Sequence, residues 1–226
     1  MKENLRLKHS LIFPIIFLLI LWIIKFFEYS LDISFANFGV YPLKISGLKG
    51  ILFSPLIHGS FKHLISNSTT LFVFMVGLFY FHKKDAFLIF SIIYLSVGLA
   101  VWLIGRYSYH IGASGVVYGL ASFHFFTGVL SKRKDFIAIS LLLVFLYGSM
   151  IWGIFPSDEG VSWESHFMGF IIGIILSLFY YEKLKIPTDN EELAESEQLY
   201  LYDFEGISYT EPDIEVRYFE PDAKKE

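Results

Sequence analysis

Six apolar blocks, each long enough to cross a lipid bilayer, decide what this chain can fold into. They run over Leu11–Phe27, Leu64–Phe81, Ala86–Ile104, Ile111–Leu130, Phe136–Phe155 and Ser165–Tyr181. A bilayer core needs about 20 apolar residues per helix, and these blocks approach that length with short polar connectors between them. Inside lipid every backbone polar group must be satisfied within the segment, so each block reads as a helix. The mean hydropathy of +0.55 is concentrated in these blocks rather than spread along the 226 residues. The expected architecture is an all-α membrane protein of six transmembrane helices, and no internal repeat is visible.

Three regions follow from this reading. Residues 1–10 form a cytoplasmic N-terminus, residues 11–185 the membrane domain, and residues 186–226 a cytoplasmic tail. Basic residues set the orientation. Lys2, Arg6, Lys8, Lys83, Lys84, Lys132, Arg133, Lys134, Lys183 and Lys185 fall in segments of one side, against Lys44, Lys49, Lys62 and Arg106 on the other. Both termini are therefore expected in the cytoplasm. No small-x-small cleavage site follows Phe27, so the first helix reads as retained. The loop from Glu28 to Lys62 carries Phe35, Phe38, Val40, Leu43, Ile51, Leu52 and Phe53 between the breakers Pro42, Gly47 and Gly50. So apolar a loop is expected to lie partly in the membrane interface.

The tail is acidic, from Asp189 to Glu226, opposed only by Arg217, Lys224 and Lys225. It has aromatic residues but few aliphatics to build a core, and it reads as disordered, a candidate segment for a cytoplasmic partner. Such a balance argues against a nucleic-acid partner. Absence of cysteine excludes disulfides and thiolate chemistry. Neither a metal nor another cofactor is expected: His-Glu-x-x-His is missing, and His58, His110 and His124 offer no pair with ligand spacing. His9 and His82 read as solvated.

The second, fourth and sixth helices run in the same direction, so their first residues share one depth. His63 and Asn67 open the second, Ser114 the fourth and His166 the sixth. Polar groups inside a membrane are costly and mark function by default. His63 and Asn67 share a helix face by their i, i+4 spacing, as do Ser114 and Tyr118. Gly115/Gly119 and Gly169/Gly173 are small-xxx-small pairs that let two backbones approach, which would bring His166 against Ser114. A serine hydroxyl needs a base within hydrogen-bond reach to act as a nucleophile. No carboxylate suits a third position, since Glu164 faces away from His166 and Asp158 and Glu159 lie in a loop. The expected machinery is a Ser114–His166 dyad with Tyr118 packed beneath the imidazole. His63, Asn67 and a backbone N–H opening the fourth helix would hold an oxyanion.

These residues resemble the rhomboid intramembrane serine proteases. The likeness rests on His63-x-x-x-Asn67, Gly112-x-Ser114-Gly115 with Tyr118, and His166-x-x-Gly169, preceded by His58-Gly59-Ser60-Phe61-Lys62-His63, and it covers about Leu11 to Tyr181. The resemblance implies a six-helix rhomboid-like bundle with an interfacial loop after the first helix. It implies an endopeptidase that cleaves single-span membrane-protein substrates within the lipid bilayer of the plasma or inner membrane. Ser114 would be nucleophile and His166 base, with substrate entering near the second and fifth helices and the fifth as gate. Lys49-Gly50 stands where many members have Trp-Arg. Ser165 replaces a common alanine, and Met168 a small residue. The alternatives are a rhomboid-like protein that binds clients without cutting them, and a small transporter or channel.

Overall fold

The computed structural model describes residues 2–134, 137–138, 141, 152–156, 160 and 162–184. Five long helices organise them: α1 (Lys2–Ser30), α2 (Phe61–Phe81), α3 (Ala86–Ile104), α4 (Ser114–Ser131) and α5 (Trp163–Tyr180). All five contain a stretch long and apolar enough to span a membrane. α1 leaves Ile12, Ile15, Ile16, Leu19, Ile20 and Ile23 exposed along its length. An uncovered apolar face of that extent belongs in lipid rather than water. The chain is a multi-pass membrane protein.

The fifth expected span, Phe136–Phe155, lies largely outside the described residues, and so does the gate expected there. Of that stretch, Trp152–Ile154 form a single 3-10 turn. The acidic loop with Asp158 and Glu159, and the tail 186–226, also lie outside the described residues.

Local chemistry explains where the helices begin. Ser60 caps α2 by accepting the His63 N–H at 3.1 Å, so this helix starts at Phe61, three residues before the apolar run. α4 starts at Ser114 rather than Ile111, because Gly112 has φ +107°, a conformation that cannot continue a right-handed helix. α1 is longer at both ends than its apolar block. Its polar first turns include the good helix formers Lys2, Glu3, Arg6 and Lys8, and past Phe27 the Glu28 carboxylate accepts the Phe35 N–H at 2.7 Å.

The core is built from Leu64, Leu71, Phe74, Met75 and Leu78 of α2, Ile89 and Ile93 of α3, and Leu120 and Phe123 of α4, all inaccessible to solvent. Where α4 meets α5, side chains give way to backbone. A methyl on Gly169 would overlap the Gly115 carbonyl, and one on Gly173 would overlap the Gly119 carbonyl. Small residues at such a crossing let the helices approach closely. His82 is buried, against the rings of Phe123 and Tyr180. This corrects the expectation of a solvated side chain: the end of α2 folds its last polar residue under α4 and α5 instead of out toward the Lys83-Lys84 turn.

The loop between α1 and α2 is a series of short helical turns that buries Val40 and Ile57 but turns Phe38, Leu43, Leu48, Leu52 and Phe53 outward, Ile45 at 86% exposure being the extreme. Where this chain has Lys49-Gly50, the backbone itself does the packing, for a methyl on Gly50 would strike Gly39 and Val40. Further along, Leu43 N–H donates to the Trp102 carbonyl at 3.0 Å, and Trp102 Nε1–H donates to the Lys44 carbonyl at 2.9 Å. Val40 and His110 exchange both backbone bonds. The loop is thereby fastened to α3 and to the loop before α4.

Candidate active site

α2, α4 and α5 bring His63, Asn67, Ser114 and His166 to the same end of the bundle. Ser114 is the first residue of α4 and is half-buried; His166 is the fourth residue of α5 and is buried. Their side chains meet with Ser114 Oγ 2.7 Å from His166 Nε2.

The other imidazole nitrogen fixes the tautomer. His166 Nδ1 lies 2.8 Å from the Gly153 carbonyl oxygen. A carbonyl only accepts, so Nδ1 carries the proton and Nε2 offers its lone pair to the Ser114 hydroxyl. Beneath the ring lies Tyr118, stacked at 4.3 Å between centroids and 13° from parallel. Sequence reading placed Tyr118 under the imidazole but missed Gly153. The acceptor is a main-chain carbonyl in an otherwise apolar stretch, and the Gly153 side of that bond leaves no signature in residue type. Space at Gly153 is also limiting, because a methyl there would overlap the Tyr118 hydroxyl.

Glu164 does not reach His166. Its carboxylate accepts the Arg106 N–H at 3.3 Å and stands 3.6 Å from the Arg106 guanidinium. Two residues along a helix is a rotation of about 200°, which directs it to the loop before α4.

Opposite the Ser114–His166 pair, Gly112 gives His63 and Asn67 their room. A methyl on Gly112 would come within 2.7 Å of His63 Cε1 and 3.8 Å of Asn67 Nδ2. Both side chains therefore flank the backbone that leads into Ser114. The Asn67 amide nitrogen is buried and makes no hydrogen bond among the described residues. A buried donor left unmade is costly, and such groups stand out as sites kept ready for a ligand or an intermediate. Two backbone donors just before Ser114 are already occupied. Gly112 N–H donates to the Ser54 carbonyl at 2.8 Å, and Ala113 N–H reaches His58 Nε2 at 3.5 Å.

His58 supports this corner from below. It is buried edge-on against His63, with ring centroids 5.2 Å apart. Burial first, then the neighbouring His63, lowers its pKa to about 3, so the ring is neutral and can accept from Ala113.

A rhomboid-domain profile matches residues 46–183, which takes in α2 to α5 and every residue of the site. Among curated proteins, uncharacterized proteins of Mycobacterium tuberculosis and Mycobacterium bovis are 34% identical over 151 residues, 61% of this chain and 61% of theirs. A Mycobacterium leprae counterpart, also uncharacterized, is 30% identical over 171 residues, 70% of this chain and 66% of its own. The chain thus spans about three-fifths of the length of the first of these relatives. No solved structure is significantly similar to it. With a domain match over more than half its length, the chain belongs to the rhomboid family.

Proposed function

We propose that this protein is an intramembrane serine endopeptidase that cleaves transmembrane segments of single-span membrane proteins with a Ser114–His166 dyad. The observation that carries the reading is the 2.7 Å contact between Ser114 Oγ and an imidazole whose other nitrogen is tied to the Gly153 carbonyl.

In this reading Ser114 Oγ attacks the scissile carbonyl carbon while its proton passes to His166 Nε2. The imidazolium keeps its Nδ1–H on the Gly153 carbonyl, which does the orienting that a carboxylate does in a triad. The carbonyl oxygen becomes an oxyanion held by Asn67 Nδ2, the His63 imidazole and the Ser114 N–H, helped by the positive end of α4. Collapse breaks the C–N bond, and the leaving amine takes the proton from Nε2. Water then attacks the acyl-enzyme, gives its proton to Nε2, and the acid product leaves as Ser114 regains its hydrogen. Gly112, Gly115 and Gly169 serve as the small residues that let these groups converge.

The wider architecture belongs to the same proposal. A sixth span over Phe136–Phe155 completes the bundle, and the dyad opens toward the non-cytoplasmic side of the plasma or inner membrane. Both termini face the cytoplasm, and a cytoplasmic partner binds the acidic tail.

Purified protein, incubated with a panel of single-span substrates, tests the reading. Cleavage is expected for the wild type, with loss to background in Ser114→Ala and in His166→Ala. Glu164→Gln retains most of it, since Glu164 is engaged by Arg106. A Glu164→Gln variant as inactive as Ser114→Ala would overturn the dyad, and a wild type that binds these segments without cutting them would overturn the activity.

A further inference from the structure

Ser162 occupies the N-cap of α5, where a serine ordinarily turns its hydroxyl back to accept an N–H of the first turn. Here it makes no such bond. Ser162 Oγ lies instead 2.6 Å from His110 Nδ1 and 2.6 Å from Ser165 Oγ. His110 is buried, and its Nε2 stands 3.0 Å from the Arg106 carbonyl oxygen. That oxygen only accepts, so Nε2 carries the proton and Nδ1 accepts from Ser162. Ser162, having given its hydrogen to His110, accepts from Ser165. The donors therefore run one way, from Ser165 through Ser162 and His110 to Arg106.

The two ends of this run belong to different elements. His110 is fixed to the loop before α4 and to Val40, with which it exchanges backbone bonds of 3.0 and 2.8 Å. Ser165 adjoins His166, and its carbonyl oxygen and Cβ abut Gly115: a methyl there would lie 3.0 and 3.2 Å from them. The cap has given up its local bond for one that spans 52 positions. Among the described residues, the Gly153 carbonyl and the Tyr118 ring are what align His166 from behind, so the setting of its helix turn matters more than in a triad.

We propose that His110, Ser162 and Ser165 are positioning residues: their relay sets the rotation and depth of the first turn of α5 and so keeps His166 Nε2 at hydrogen-bond distance from Ser114. The inference rests on the dyad reading above. A displacement of about 1 Å between reacting groups costs on the order of a hundredfold in rate, so a partial slackening is visible in kcat before it is visible in folding.

Two substitutions at His110 separate the parts. In His110→Asn the amide oxygen falls near the former Nδ1 and still accepts from Ser162. His110→Gln instead places an amide nitrogen near the former Nε2 and loses that acceptor. Ser165→Ala removes the first donor, and Ser162→Thr keeps a hydroxyl at the cap. The readout is kcat and KM on one single-span substrate, with Tm measured for each variant in the same detergent. Expected are roughly tenfold losses in kcat for His110→Gln and Ser165→Ala, with KM and Tm close to wild type. The double variant falls no further than either single, because both act through one relay. His110→Asn and Ser162→Thr recover most of kcat. If wild type cleaves and His110→Gln and Ser165→Ala match it, or if kcat losses follow Tm, or if the two losses multiply, the relay is wrong while the dyad stands. A wild type that neither cleaves nor reacts with a fluorophosphonate at Ser114 overturns the dyad and the relay with it.

Discussion

At the scale of single residues, the site is defined as much by donors kept free as by the pair in contact. Asn67 has a buried amide nitrogen with no bond among the described residues, an arrangement that costs stability in the free protein and that, in the proposed mechanism, a developing oxyanion would take up. Losing one such donor typically costs about 2.7–4 kcal/mol in the transition state. Asn67→Ala is accordingly expected to lower kcat about 10²–10³-fold with little change in KM, measured on a transmembrane substrate. Its Tm should hold or rise, because the variant removes a buried unpaired polar group rather than a contact. Ser114, Tyr118, His63 and Asn67 were readable in the sequence because each pair sits one helical turn apart. Gly153 was not readable, since it contributes a carbonyl that every residue has. The His110–Ser162 bond was equally hidden, because 52 positions separate its partners and nothing periodic links them.

Among elements, the contact of α4 with α5 carries the site. Gly169 and Gly173 lie against the carbonyls of Gly115 and Gly119 with no room for a methyl group. Gly173→Ala lies about two turns beyond His166, far enough to test packing apart from chemistry. It is expected to lower Tm by several degrees and activity with it, whereas an alanine at exposed Phe179 should change neither. This crossing was legible from the glycine spacing, which asks for close approach whatever the chemistry. Ser114 was read as opening the fourth helix, as it does, while the apolar block began three residues ahead of α4 because hydropathy is blind to the backbone turn at Gly112. His82 was misjudged for a related reason. A polar residue before two lysines reads as a solvated turn, but here it closes the end of α2 under Phe123 and Tyr180. Burial holds both His58 and His82 down at about 3, against an ordinary 6.5. The unfolded chain takes up these protons below pH 6.5 while the native one refuses them until about 3. Stability is therefore flat above neutrality and falls as pH drops through this window. Tm in detergent should decline steadily between about pH 7 and pH 4, and His82→Phe should make the decline shallower; a Tm that rises on acidification would refute the assignment.

On the scale of the whole molecule, the reading depends on which side of the membrane the dyad faces. The six-block pattern and the distribution of lysine and arginine argue for cytoplasmic termini, and the absence of cysteine makes the argument easy to check. Ile45, exposed in the loop after α1, and Lys84, exposed in the turn after α2, stand on opposite sides in this topology. In intact cells a membrane-impermeant maleimide should label Ile45→Cys and spare Lys84→Cys until the membrane is permeabilised; the reverse pattern would invert the protein and move the site to the cytoplasmic side. The most direct test of the central claim is covalent. A fluorophosphonate should form a single adduct, located on Ser114 by mass spectrometry, that survives Glu164→Gln and vanishes in His166→Ala. An adduct on another residue, or one that persists without His166, would contradict the dyad.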